Sequence, residues 1–126
     1  MYKFQIYRKL ETANGLKRWH TNPRPHVGRA LYRAYKKELA KLFWEANPEA
    51  CRAPLDSARK NVRVAYYTKK LQDRDNFIAC LKPVLDVMKG VGVIADDSEE
   101  FIKLDAVQEI NLERAYLMEV EVENAS

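Results

Sequence analysis

The 126-residue chain is 47% hydrophobic and 32% charged, a size and balance that suit one compact domain spanning residues 1–126 and argue against wholesale disorder. Its longest uncharged apolar run, Gly90 to Ala95, is six residues, against about 20 for a membrane-spanning helix, and the charged, alternating first ten residues argue against a secretory signal. The formal charge of +4 hides a division: residues 1–70 hold 17 Lys/Arg against 5 Asp/Glu, and residues 71–126 hold 5 against 13.

A strongly basic half predicts a polyanionic partner, because Lys and Arg neutralise phosphates and release condensed counterions. An acidic half on the same surface would repel nucleic acid unless its carboxylates face away or hold cations. The alternative is that the two halves attract each other in the fold. Two cysteines, Cys51 and Cys80, are too few for a disulfide scaffold and read as reduced thiols of a cytoplasmic chain.

In chain order, Tyr2, Phe4 and Ile6 alternate with Lys3, Gln5 and Tyr7, a half-buried strand. Residues 8–27 carry the turn signals Asn14-Gly15 and Asn22-Pro23-Arg24-Pro25 and read as a basic loop. From Gly28 to Ala46, Leu31, Tyr35, Leu39, Leu42 and Phe43 step by threes and fours, an amphipathic helix that Asn47-Pro48 stops. Residues 60–68 alternate Val62, Val64 and Tyr66 with Arg63, Ala65 and Tyr67, the clearest strand. Phe77, Leu81, Val84, Leu85 and Met88 predict a helix over 75–89, kinked at Pro83 and ended by Gly90 and Gly92. Further strands are expected at 100–104 and 114–122. The order β-α-β-α-β-β implies an α+β fold, a small mixed sheet of about four strands packed with two helices.

The segment Asp73-Arg74-Asp75-Asn76 is the most informative. Two carboxylates one residue apart raise each other's pKa unless a cation joins them, and a hard divalent ion such as Mg2+ takes one or two carboxylates together with waters and phosphate oxygens. Asp96-Asp97 forms a second pair. The ordinary reading is that Asp75 or Asn76 caps a helix and that Asp96-Asp97 is a solvated turn. A calcium loop is ruled out, because its pattern needs an acid or amide at Phe77, Gly at Ile78 and Glu at Val84. On a helix, Asp75, Lys82 and Asp86 share one polar stripe; the plain reading there is a Lys82–Asp86 surface ion pair, and the functional one a lysine beside a metal-bound phosphate.

Asp73-x-Asp75-Asn76, Lys82-x3-Asp86 and Gly90-x-Gly92-Val93-Ile94-x-Asp96-Asp97-Ser98 together resemble the RusA-type Holliday-junction resolvases, over roughly residues 59–104. The resemblance implies a small homodimeric endonuclease of DNA recombination and repair, dependent on Mg2+ with Mn2+ as an alternative, in a bacterial host and often carried by phages or prophages. It implies metal-binding roles for Asp73, Asp75 and Asp97 with Asp96 as accessory acid, a catalytic or DNA-contacting role for Lys82, and Asn76 as the motif's amide. Two departures stand out. Lys82 lies three residues further from Asn76 than in the best-known member, where a strict count lands on Ala79; Gln72 replaces a basic residue, whose phosphate contact Lys69 and Lys70 would take over.

The implied mechanism is an in-line displacement at one or two ions held by the four acids. Lys17, Arg18, Arg24, Arg29, Arg33, Lys36, Lys37, Lys69 and Lys70 would track the DNA backbone of a four-way junction, read by shape rather than by base edges. A two-fold substrate calls for a two-fold dimer. Trp19, in the basic loop, is a candidate for stacking on an unpaired base; Trp44 and Phe77 read as core or partly buried packing, with interface or base-wedging roles as the alternatives. His20 and His26 match no zinc spacing and Cys51 and Cys80 no reactive one, leaving phosphate contacts and packing respectively. The competing functions are a nuclease for other branched or flap DNA, a non-catalytic DNA-binding accessory protein of the same fold, and a protein–protein module built on charge opposition.

Overall fold

A computed structural model describes residues 1–113 and 115–125. The chain runs β1 (Tyr2–Ile6), α1 (Ala13–His20), α2 (Pro25–Ala46), α3 (Pro48–Arg52), β2 (Lys60–Thr68), α4 (Arg74–Gly90), β3 (Ile102–Ile110) and β4 (Leu117–Asn124). Period-two patterning sets the strands. Val62, Val64 and Tyr66 of β2 and Met118, Val120 and Val122 of β4 are buried on one face, whereas Arg63, Glu119, Glu121 and Glu123 occupy the other.

The strands form one mixed sheet in the order β1-β4-β2-β3. β4 is antiparallel to both β1 and β2, while β2 and β3 are parallel, with Thr68 opposite Ile110. Parallel neighbours need a crossover, and α4 supplies it. The helices cover the apolar face in one continuous core that includes Phe4, Leu39, Phe43, Phe77, Leu81, Met88 and Met118. The fold is therefore α+β, as the element pattern implies.

The other sheet face is open, and it carries part of the charge division. Glu119, Glu121 and Glu123 of β4 alternate away from the buried residues of that strand, while Arg29, Arg33, Lys37 and Lys41 lie exposed on α2, in the helical layer. These three acids and four cations thus face opposite ways. Part of the acidic face is tied up locally, with Arg63 lying 3.8 Å from Asp105 and 3.9 Å from Glu121.

Several elements differ from the sequence reading. The expected loop over 8–27 contains α1, because Asn14-Gly15 sits inside a helical first turn capped by Thr12, whose Oγ1 accepts the Gly15 N–H at 3.1 Å. Pro25 is the first residue of α2 rather than a loop residue, a position where its missing donor costs nothing. Asn47 ends α2 and caps the short α3, accepting the Ala50 N–H at 3.1 Å. β3 is longer than expected, since β2 pairs with it along all nine residues. α4 runs unbroken through the buried Pro83. Arg114, the first residue of the expected last strand, lies outside the described residues.

Candidate functional site

The carboxyl ends of the parallel strands β2 and β3 and the N-terminus of α4 meet at one end of the sheet, the usual location of ligand sites in open α/β arrangements. Beyond Thr68 the chain turns: Thr68 Oγ1 donates to the Lys70 carbonyl at 3.1 Å. The Gln72 N–H donates to Gln108 Oε1 at 3.0 Å, and Gln108 Nε2 returns a bond to the Gln72 carbonyl. The Arg74 guanidinium donates to the Ala106 carbonyl on β3. These bonds lock the start of α4 onto the edge strand.

Asp73 is the N-cap of α4. Its Oδ1 accepts the Asn76 N–H at 2.9 Å and its Oδ2 accepts Asn76 Nδ2 at 3.0 Å. The capping role therefore belongs to Asp73 rather than to Asp75 or Asn76, and Asn76 is the group that orients the Asp73 carboxylate. Asp75 lies exposed in the first helical turn, with no ion pair or side-chain hydrogen bond among the described residues.

Cations surround this end. Lys69 and Lys70 are exposed in the β2–α4 turn. Lys9 and Lys69 place their ammonium groups 5.6 and 5.8 Å from the centre of the Tyr116 ring, within cation–π range. A cleft of about 290 Å3 opens between the N-terminal segments of α1 and α4, lined by residues that include Lys9, Asn14, Lys70, Asn76 and Tyr116. Sequence reasoning missed Lys9, Asn14 and Tyr116. Reading Thr12 as a helix cap rather than Asn14-Gly15 as a turn was the available signal for this wall of the cleft.

The second acid pair lies elsewhere. Asp96 and Asp97, both half-buried, follow the C-terminus of α4, and Asp96 Oδ1 is 3.2 Å from Lys89 Nζ in the last helical turn. The backbone N–H of Asp97, and next the Lys89 ammonium, hold the Asp96 carboxyl below the usual carboxylate range. Between the two pairs runs a helix of 17 residues, about 25 Å long at 1.5 Å per residue. Within one chain the four acids do not meet, and among the described residues no three His, Cys, Asp or Glu side chains converge on a common metal position.

Lys82 is exposed two turns along α4 from Asp75, about 10 Å further along the axis. The expected Lys82–Asp86 ion pair is not formed among the described residues. Asp86 instead faces Tyr32 of α2, where burial and then the Asp86 charge push the phenol up. Lys17 and Arg18 are exposed on α1, Arg24 precedes α2, and Arg29, Arg33 and Lys37 are exposed on α2; Lys36 sits 4.7 Å over the Tyr32 ring.

Trp19 is not free for stacking on a base. It packs edge-on against Tyr35 at 5.6 Å and Tyr32 at 6.4 Å, and His20 leans on Tyr32 at 4.8 Å. Phe77 is core, as expected, whereas Trp44 is 40% exposed. Cys51 and Cys80 are free and buried, and burial pushes the Cys80 thiol up to about 11, which keeps it protonated and non-nucleophilic.

The donor set at the start of α4 fits a hard divalent cation, since two carboxylates with waters and phosphate oxygens suffice for Mg2+, and Mn2+ shares that preference. A four-carboxylate centre does not fit a single chain. No protein-family model matches this sequence, and no curated protein is significantly similar to it. No helix among the described residues is long and apolar enough to cross a membrane.

Proposed function

We propose that this protein is a Mg2+-dependent endonuclease that resolves four-way DNA junctions, acting as a homodimer. One observation carries the reading: Asp75 stands exposed and, among the described residues, unpaired beside a carboxylate fixed by Asn76, at the end of the sheet where Lys9, Lys69 and Lys70 gather. Such an arrangement attracts a polyanion and, at its centre, retains acceptors that a phosphate would otherwise repel.

Asp73 and Asp75 would hold the ion, with Asn76 keeping the Asp73 carboxylate in one orientation. When bound, Mg2+ polarises the phosphodiester, lowers the pKa of a bound water and stabilises the leaving oxygen. Lys69 and Lys70 position the backbone, and the cations of α1 and α2 (Lys17, Arg18, Arg24, Arg29 and Arg33) extend the basic track across the helical layer. Lys82, exposed on the same stripe as Asp75, contacts a phosphate further along the strand. Because Asp96 and Asp97 lie at the opposite end of α4, their part in the same site comes from the partner copy. A two-fold dimer that sets the two α4 helices antiparallel supplies Asp97 of the partner subunit to each Asp73–Asp75 pair. Two such sites match a substrate cut on opposed strands.

The test is cleavage of a synthetic four-way junction and of linear duplex of the same sequence, in Mg2+ and in EDTA. Junction cutting in Mg2+ alone, with linear duplex left intact, is expected. Equal cutting of both substrates overturns junction selectivity, and tight binding with no cutting of either favours a DNA-binding accessory protein.

A further inference from the structure

The cleft beside Asp73 and Asp75 has a lining that a plain phosphate track does not need. Its lining mixes polar groups with an apolar part: Leu10 and Tyr66 lie behind it, each only 2% exposed, and the Tyr66 hydroxyl accepts the Leu10 N–H at 3.0 Å. The half-buried Tyr116 ring stacks on Tyr66, with centroids 6.4 Å apart and planes 19° from parallel. At the rim, Asn14 and Asn76 present side-chain amides, and Lys70 adds a cation. A phosphate gains nothing from a wall of Leu10, Tyr66 and Tyr116. A nucleobase does, because it offers a π-face to stack and a polar edge that amides can read in either sense.

At about 290 Å3, the space lies at the small end of ligand-sized clefts. It lies between two helix starts. We propose that this cleft receives one unpaired nucleotide of the DNA substrate, drawn out of the stack next to Asp73 and Asp75. The inference rests on the DNA reading above and deepens it by naming what the protein recognises in a branch: a nucleotide that leaves its stack at little cost. Lys9 and Lys69, already over the Tyr116 ring, neutralise that nucleotide's phosphates.

The experiment uses the full chain in EDTA, so that binding is read without cutting, with three fluorescent duplexes: fully paired, carrying one unpaired thymidine, and carrying one unpaired abasic site. Fluorescence anisotropy should show the thymidine bulge bound about tenfold more tightly than paired duplex, with the abasic bulge losing most of that preference. Tyr116→Ala should erase the thymidine preference and Tyr116→Phe keep it. Asn14→Ala, at the exposed rim, gives a second reading that does not depend on the packing of Tyr116, and should lower the preference several-fold. A preference that the abasic bulge retains, or one indifferent to both Tyr116→Ala and Asn14→Ala, overturns the proposal. The two readings fail separately. A base-dependent preference in a chain that cuts nothing in Mg2+ sinks the nuclease alone, and junction cutting without any base-dependent preference sinks the cleft alone.

Discussion

The two ends of α4 carry the same residues, a pair of aspartates, in opposite settings. At the C-terminal end the chain answers its own charge: Lys89 and a backbone N–H take up Asp96, and the turn carrying both aspartates is half-buried. At the N-terminal end Asn76 fixes Asp73 without neutralising it, and Asp75 is left bare. Asp96 is satisfied from within, whereas Asp73 and Asp75 are left exposed at a helix start, at the end of the sheet that also carries Lys9, Lys69 and Lys70. The difference also shows why carboxylates close in sequence, or aligned in a familiar motif, need not share an ion. A helix of 17 residues separates them.

The hardest test of that comparison is genetic mixing. Asp75→Asn should lower junction cleavage by several kcal/mol of transition-state stabilisation, on the order of 10^2 to 10^3 in rate. Binding should persist or tighten, since a negative charge near DNA is removed. If partner copies complete each site, Asp97→Asn is equally inactive, yet mixing the two variants restores cutting. Half of the randomly formed dimers then carry one wild-type site, giving about a quarter of wild-type nicking and no paired cuts. Absence of any recovery, with mixed dimers shown to form, breaks the two-ended site.

A second test asks how each end is built. The α1–α2 crossing that supports the open end depends on Gly28, which is buried. A Cβ there would lie 2.9 Å from the Trp19 carbonyl carbon, closer still to its oxygen, and 3.1 Å from Asn22 Cβ. Backbone cannot step aside as a side chain does, so Gly28→Ala should cost about 2–3 kcal/mol in urea unfolding. Gly90, at the closed end, has nothing within 4 Å of such a Cβ and no positive φ. Gly90→Ala should change stability by less than about 1 kcal/mol, in the favourable direction. Equal costs at the two glycines would mean that α1 moves aside freely and does not define the cleft.

The parts legible in the sequence were those set by periodicity. Residues 60–68 and the helix through Phe77, Leu81 and Met88 follow directly from apolar spacing, and Pro83 did not break the helix because the buried stripe runs on either side of it. What was not legible depends on competition between local signals. Asn14-Gly15 favours a turn by itself, but Thr12 capping and the burial of Leu16 pull it into α1. Trp19 in a basic run suggests an exposed ring, and only tertiary packing against Tyr32 and Tyr35 withdraws it. The candidate site was half legible. The Asp73, Asp75 and Asn76 constellation is local, so spacing reveals it. The separation of Asp96 and Asp97 from Asp73 and Asp75 follows from α4 lying between the two pairs, which a list of acidic residues conceals.

The smallest effect is expected at the closed end itself. Lys89→Gln removes one of the groups that hold the Asp96 carboxyl low, leaving the Asp97 N–H, the largest cause, in place. A carboxylate whose folded pKa is depressed contributes stability above its unfolded value, about 3.9, and that contribution is lost as pH falls through the folded value. Lys89, raised chiefly by its bond to Asp96, contributes below its unfolded value near 10.4 and loses that contribution as pH rises through the folded one. Wild type should therefore melt slightly above Lys89→Gln at pH 7, and the gap should close in thermal scans taken below about pH 4 or above about pH 10.5. Exposure of the pair to solvent keeps the gap small. A gap that does not shrink as pH falls below about 4 would show Lys89 acting through something other than Asp96, and the closed end would no longer hold its own charge.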